Sequence, residues 1–217
     1  MSEFAEARRQ MVAGQIRVHD VTDKRVQDAM FEIERESFVP RAQHPHAYAD
    51  LQIDGGEGRT LLRPRDFAKL VQAAGVRTGD VVLDIACGRG YSTAVLARLA
   101  DTVVGLEDSE AAVEKATERL AAAGADNAVV VHGELKAGMQ GQGPFNVIFV
   151  GGAVDAVPQA WFDQLADGGR LAVFVRDDAV GRAMVYTRAG DRIGERAVFD
   201  GAPALLPGFE PEAGFVF

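Results

Sequence analysis

Apolar positions recur at helical spacing in the first third of the chain and gather into short unbroken runs thereafter. The two rhythms predict different architectures. Phe4, Met11, Val12, Ile16 and Val18 can form one stripe of a helix over residues 4–18, which Gly14 weakens. Asp20 to Asp23 offer capping residues ahead of a second helix, 24–33, where Val26, Ala29, Met30 and Ile33 fall at i, i+3, i+4 and i+7. Pro40 and Pro45 break the pattern, and His44-Pro45-His46 marks a loop. Residues 52–60 hold three glycines in nine positions outside any hairpin pattern, which predicts a mobile or ligand-approaching loop. Pro64 suits the first turn of a third helix, running to about Ala74.

From residue 80 short β-branched runs alternate with helical patterns. The runs are 81–86, 102–106, 128–131, 147–150 and 171–175; the helices fall near 91–99, 109–123 and 159–165. This alternation predicts βαβ units, hence an α/β fold with a mainly parallel sheet and helices on both faces. Residues 184–187 and 192–199, around Ala189-Gly190-Asp191, read as a hairpin on the sheet edge. The expected organisation is a helical extension over residues 1–75 and a single sheet-based core over 76–217.

Composition narrows the class. With 217 residues, 47% hydrophobic and 25% charged, the chain has the make-up of one ordinary globular domain. One cysteine rules out an intrachain disulfide and a cysteine-rich zinc site. No apolar run reaches the ~20 residues that span a bilayer, and the opening Met-Ser-Glu-Phe-Ala-Glu-Ala-Arg-Arg carries no apolar core of signal-peptide type. A soluble, cytoplasmic protein is expected. Twenty-three basic against 32 acidic residues leave a net charge of −9, which argues against nucleic acid or an anionic membrane as partner. A basic cluster, Arg59, Arg63, Arg65 and Lys69, stands out against that background as a place for an acidic acceptor.

The strongest chemical signal is Asp84-Ile85-Ala86-Cys87-Gly88-Arg89-Gly90-Tyr91, where the first strand of the α/β part ends. In open parallel sheets ligands bind beyond the carboxyl ends of the strands. Gly88 and Gly90 allow a tight turn and close approach to a bound molecule. Glu107, at the end of the next strand, can accept both ribose hydroxyls of a nucleoside. A dinucleotide would want G-x-G-x-x-G, but Thr93 holds the third glycine position and Asp84 would face the diphosphate. S-adenosylmethionine has no phosphate and carries an ammonium and a sulfonium, so the acid–turn–acid pattern favours it over NAD. An empty flavodoxin-like turn is the bland alternative. Gly133-Glu134, after the third strand, would place an acceptor near the adenine amine. His19, His44, His46 and His132 show no metal-ligand spacing, so no metal is expected. Cys87, with no histidine partner in view, reads as a small loop residue rather than a nucleophile.

Taken together, these residues resemble the protein-L-isoaspartate O-methyltransferase family over nearly the whole chain. The resemblance is carried by Met11-Val-Ala-Gly-Gln-Ile-Arg17, Val26-Gln-Asp-Ala-Met30, Arg35-Glu-Ser-Phe-Val-Pro40, Ala47-Tyr-Ala-Asp50 and Gly58-Arg-Thr-Leu-Leu-Arg-Pro64. It continues through Val82-Leu-Asp-Ile-Ala-Cys-Gly-Arg-Gly-Tyr91, Val157-Pro158 and Gln164-Leu-Ala-Asp-Gly-Gly-Arg170. It implies a Rossmann-like seven-stranded methyltransferase sheet, S-adenosylmethionine as donor with S-adenosylhomocysteine as product, and a protein or peptide isoaspartyl carboxylate as acceptor. The family's loop reads Gly-Gln-Thr-Ile-Ser-x-Pro, so Leu62 stands at the serine position and Arg59 at the glutamine. Asn146 replaces an aspartate of the fourth strand. The chain is similar to a divergent branch, for which another acceptor, or donor binding without transfer, is the alternative.

A carboxylate acceptor needs no general base at neutral pH but does need a hydrogen-bonding or positive partner in a dry site. Thr60 and either Arg59 or Arg63 are candidates, with Leu62 lining the acceptor side. The residues put forward for the donor are Asp84, Ala86, Cys87, Gly88, Gly90, Tyr91, Glu107, Asp108, Gly133 and Glu134.

Overall fold

The computed structural model describes residues 3–177 and 180–211. The first helix, α1 (Glu3–Met11), gives way to a wider π-helical turn over Val12–Ile16, which contains Gly14, and then to a 3₁₀ turn, Arg17–His19. The helical stretch expected over 4–18 is therefore present, but it changes pitch halfway. Helix α2 (Lys24–Glu32) starts where Asp23 accepts a hydrogen bond from the Arg25 backbone N–H, an ordinary carboxylate cap. The proline-broken segment folds as two short 3₁₀ turns, Arg35–Phe38 and Arg41–His46.

The glycine-rich stretch departs from its expectation. It is a hairpin, β1 (Ile53–Gly56) and β2 (Arg59–Leu61), forming a two-stranded sheet of its own. Glu57 and Gly58, with φ of +52° and +76°, form the two-residue connection. Positive φ at both central positions matches the twist of paired strands, so the glycines here serve a turn. Helix α3 (Pro64–Ala74) begins at its proline, as the sequence predicts, and ends on left-handed Gly75.

The main sheet has seven strands in the order β5-β4-β3-β6-β7-β8-β9. The first five, β3 (Val81–Ile85), β4 (Thr102–Glu107), β5 (Ala128–His132), β6 (Phe145–Val154) and β7 (Leu165–Asp177), pair in parallel. Strands β8 (Val180–Ala189) and β9 (Arg192–Asp200) add the expected antiparallel hairpin at the edge. Strand β7 is longer than its apolar run because Leu165 pairs with Phe145 ahead of a bulge, and regular pairing resumes at Arg170. The intervening helices are α4 (Tyr91–Ala97), α5 (Glu110–Ala122) and α6 (Gln159–Asp163).

The helices cover the two faces unequally. One apolar cluster joins Met11, Ile16, Met30, Phe38, Phe67 and Leu70 to α4, to Ala116 and Leu120 of α5, and to Val82, Phe149 and Phe174 of the sheet. The other face is closed by Trp161 of α6, Leu135, and Leu206 and Phe209 from the segment after β9. Because β3 alternates, Leu83 and Ile85 point to this second cluster. The N-terminal helices thus share one core with the sheet. The residues beyond 211 lie outside the described residues. Among the described residues, no helix is long and apolar enough to cross a membrane.

Candidate functional site

The site is built on the carboxyl ends of β3 and β4, at the point where the strand order reverses from β5-β4-β3 to β6. β3 ends in a turn in which Ala86, Gly88 and Gly90 all have positive φ, at +59°, +58° and +90°. Alanine rarely adopts that conformation, so the backbone is strained at the turn itself. Gly90 serves helix packing as well as the turn. A Cβ there would stand 3.3 Å from Leu120 and 3.4 Å from Ala116 of α5, so its close neighbour is a helix. Across the cleft, a Cβ on Gly151 would meet the Ala86 carbonyl oxygen at 2.7 Å, so only glycine lets β6 approach the turn.

Asp84 is fully buried. Its Oδ2 accepts hydrogen bonds from Ser92 Oγ at 2.6 Å and Thr93 Oγ1 at 2.7 Å, while Oδ1 is buried without a partner. Burial pushes its carboxyl up to about 7; the two hydroxyls pull the other way, and Glu107 adds repulsion. Burial also raises the Cys87 thiol well above its ordinary value, with Asp84 and Glu107 reinforcing the shift, so Cys87 is a packed, protonated residue.

Glu107 is likewise buried, and both of its oxygens are engaged. Oε1 accepts from Gly88 N–H at 2.5 Å and from Arg59 Nε at 3.0 Å; Oε2 accepts from Arg59 Nη2 at 2.8 Å and from Asp108 N–H at 3.2 Å. The same Nη2 reaches Asp108 at 2.5 Å. Burial works against the charge on Arg59, but the hydrogen bonds and charges of Glu107 and Asp108 outweigh it and hold its pKa above the ordinary value. A second clamp joins hairpin to turn, with Arg89 donating to Glu57 at 2.6 and 2.8 Å. Strand β2 thereby lies over the glycine turn.

Under the hairpin is a small cavity of about 30 Å³, lined by Arg35, Arg59, Thr60, Leu62, Cys87, Gly88, Tyr91, Phe149 and Gly151 among others. A second hollow of about 10 Å³ lies on the far side of Thr60 and Leu62, against Gln52, Gly152 and the 203–207 segment. Thr60 and Leu62 therefore separate two small spaces. Gln52 ties the hairpin to that segment by accepting from Ala204 N–H at 3.0 Å and donating to the Ala202 carbonyl at 3.3 Å.

Of the residues put forward from sequence, Arg59, Thr60, Leu62, Ala86, Cys87, Gly88 and Tyr91 meet at one cavity. Glu107 and Asp108 join it through Arg59. Gly133 is tied to the Glu107 carbonyl by its N–H at 2.8 Å, whereas Glu134 is exposed and does not line the cavity. The basic cluster is not an open patch. Arg59 sits on Glu107 and Asp108, Arg63 and Arg65 both pair with Asp66 at 3.2 Å, and Lys69 lies 4.6 Å from the Phe199 ring centroid. An acid three residues after Arg63 was the sequence signal that this charge is answered locally.

Sequence reasoning passed over Arg35, Ser92, Gly151 and the 202–207 segment. Arg35 is buried beneath the site, with Nε on the Ala47 carbonyl, Nη2 on the Leu62 carbonyl and its guanidinium 4.7 Å from the Tyr91 ring. Its Nη1 and the Tyr91 hydroxyl are buried with no partner besides the interaction of these two side chains with each other. Hydroxyls in the first turn of a helix behind an acidic strand end are a readable signal for Ser92 and Thr93. For Arg35 and the 202–207 segment, far away along the chain, no local pattern points to the site.

Residues 6–198 match the family model "Protein-L-isoaspartate(D-aspartate) O-methyltransferase (PCMT)". The chain belongs to that family. Protein-L-isoaspartate O-methyltransferases of Koribacter versatilis and Methanoregula boonei are 35% and 37% identical to it, each over 89% of this chain and over 87% and 89% of their own lengths. A solved protein-L-isoaspartate O-methyltransferase superposes with a TM-score of 0.79 at 27% identity, covering 93% of this chain and 66% of that one. The fold of a Plasmodium falciparum structure, described as a putative protein-L-isoaspartate O-methyltransferase in complex with S-adenosyl-L-homocysteine, agrees at a TM-score of 0.78 and 21% identity, covering 92% of this chain and 97% of that one. As a family member this chain is a methyltransferase, and the family's seven-stranded sheet is the one seen here.

Proposed function

We propose that this family member transfers a methyl group from S-adenosylmethionine to the carboxylate of an isoaspartyl residue in a protein or peptide. The observation that carries the donor half is Glu107, a buried carboxylate at the end of β4 beside the Gly88 N–H of the turn. That is where an open α/β sheet accepts a ribose diol. The unpartnered Asp84 Oδ1 adds a buried acceptor behind the same turn, which suits a cationic amino acid moiety and repels a diphosphate. Gly88, Gly133, Glu107 and Asp84 are therefore the donor-holding residues.

When bound, the donor supplies a methyl group on a sulfonium. The protein's own part is orientation and exclusion of water, which provide most of the acceleration in an in-line displacement. Thr60 offers a hydroxyl to the acceptor carboxylate, and Tyr91 OH and Arg35 Nη1 are further buried donors at the same cavity. Residues 1–75 supply the acceptor-side cover. Leu62, buried between the two hollows, gives no hydrogen bond, and it favours a second reading in which the acceptor is a different carboxylate.

The test is methyl-ester formation on an isoaspartyl peptide with labelled donor, comparing the natural chain with Leu62→Ser. Ester formation by the natural chain is expected, and Leu62→Ser is expected to raise it about tenfold, as one added charge-assisted hydrogen bond would. Turnover in Leu62→Ser alone would mean that the family acceptor has been lost. Silence from both, with donor bound, would refute an isoaspartyl acceptor.

A further inference from the structure

Arg59 holds the carboxylate that a donor ribose needs. Its Nε and Nη2 take both oxygens of Glu107, and Asp108 steadies the same guanidinium from the open side. Arg59 is buried, and its Cβ is 3.4 Å from the position a Cβ on Gly88 would take, so it lies directly over the turn. The cavity beneath points the same way. About 30 Å³ holds a few waters, whereas a drug-sized ligand occupies a pocket of roughly 300 Å³ or more. The cover is a lone two-stranded hairpin, an element of marginal stability by itself, held down by Arg59 at one end of its turn and by Glu57 on Arg89 at the tip.

We infer that Arg59 is an internal competitor of the donor: it latches the 53–61 hairpin over the site through Glu107, and it must leave that carboxylate before the ribose can be held there. The inference rests on S-adenosylmethionine as donor. Asp108, about half exposed, makes the exchange feasible, because Arg59 can keep one carboxylate partner when it gives up the other. The latch also acts on the product, which carries the same ribose, so return of Arg59 to Glu107 helps expel S-adenosylhomocysteine.

The experiment is calorimetric titration of the full chain with S-adenosylhomocysteine, using the natural protein, Arg59→Gln and Glu57→Gln. Arg59→Gln places at that position the glutamine of the family's loop pattern. It is expected to bind about tenfold more tightly, the scale of one charge-assisted contact no longer to be broken. Glu57→Gln releases the hairpin tip while leaving Glu107 occupied, so its gain should be smaller. Unchanged or weaker binding in Arg59→Gln, or equal gains in both variants, would overturn direct competition. Absence of binding in every variant would instead overturn the donor assignment, and the latch with it. Should Arg59→Gln fail to fold, the natural protein still decides the matter. The Arg59 Nε–H resonance, identified by its loss in Arg59→Lys, should shift on saturation with S-adenosylhomocysteine; a resonance that stays in place refutes the exchange.

Discussion

Asp84 illustrates how a single acid can be placed against its own charge. In an unfolded chain its carboxyl titrates near 3.8, and burial in the native protein raises this to about 7. A raised carboxylate pKa means that the folded state binds the proton more strongly than the unfolded state. The resulting stabilisation is complete below about pH 4, declines as pH rises, and is gone above about pH 7. Asp84→Asn cannot ionise, so the stability of the natural protein relative to this variant should fall across that window by on the order of 2–4 kcal/mol. Urea denaturation of both proteins at several pH values between about 4.5 and 8 measures the difference; parallel profiles would show that Asp84 does not change charge there. The direction also bears on the chemistry. A cationic donor group favours the ionised form, so donor binding should become tighter as pH rises through 7.

At the level of elements, the turn after β3 is fitted between a strand and a helix. Gly90 ends it at φ +90° with the flank of α5 against it, so a Cβ there would press on Leu120 and Ala116 at 3.3 and 3.4 Å. Gly90→Ala would combine a disfavoured backbone conformation with overpacking against Leu120 and Ala116, at a cost of about 2–3 kcal/mol. Thermal unfolding of the variant tests this, and a melting temperature within a degree of the natural protein would contradict it. The elements themselves were largely legible in the sequence. Pro64 and Gly75 bound α3 as their backbone preferences dictate, Asp23 caps α2, and the β-branched runs mark each parallel strand. The 52–60 stretch does not read as a hairpin because its turn is Glu57-Gly58 rather than Asn-Gly or Asp-Gly, and Gly55 and Gly56 obscure the alternation of β1. The unequal cover of the two sheet faces was also hidden, since periodicity shows that a helix has an apolar side but not which side of the sheet receives it.

Across the whole molecule, charge decides how acceptors arrive. The acid–turn–acid pattern proposed for the donor is local in the sequence, and so is the Asp66 that answers Arg63 and Arg65, but the partners of Arg59 and Arg170 come from distant segments. Arg59 meets Glu107 forty-eight positions away, and Arg170 meets Asp80 ninety positions away. Arg63 and Arg65 share Asp66 and Arg59 is taken by Glu107 and Asp108, so most of the charge that looked like an acceptor platform is already engaged within the protein. What an approaching peptide meets is the net charge of −9. Long-range attraction should therefore favour isoaspartyl peptides of positive charge over acidic ones of the same length. At low ionic strength kcat/KM for a peptide flanked by lysines should exceed that for one flanked by glutamates by about tenfold. The gap should close near 1 M salt, where the screening length shrinks to about 3 Å. Steering acts on encounter, so the difference belongs in KM and not in kcat. A preference for the acidic peptide would show instead that one of the paired arginines opens toward the acceptor. A preference that survives high salt would place the discrimination in direct contacts within the site rather than in the field of the molecule.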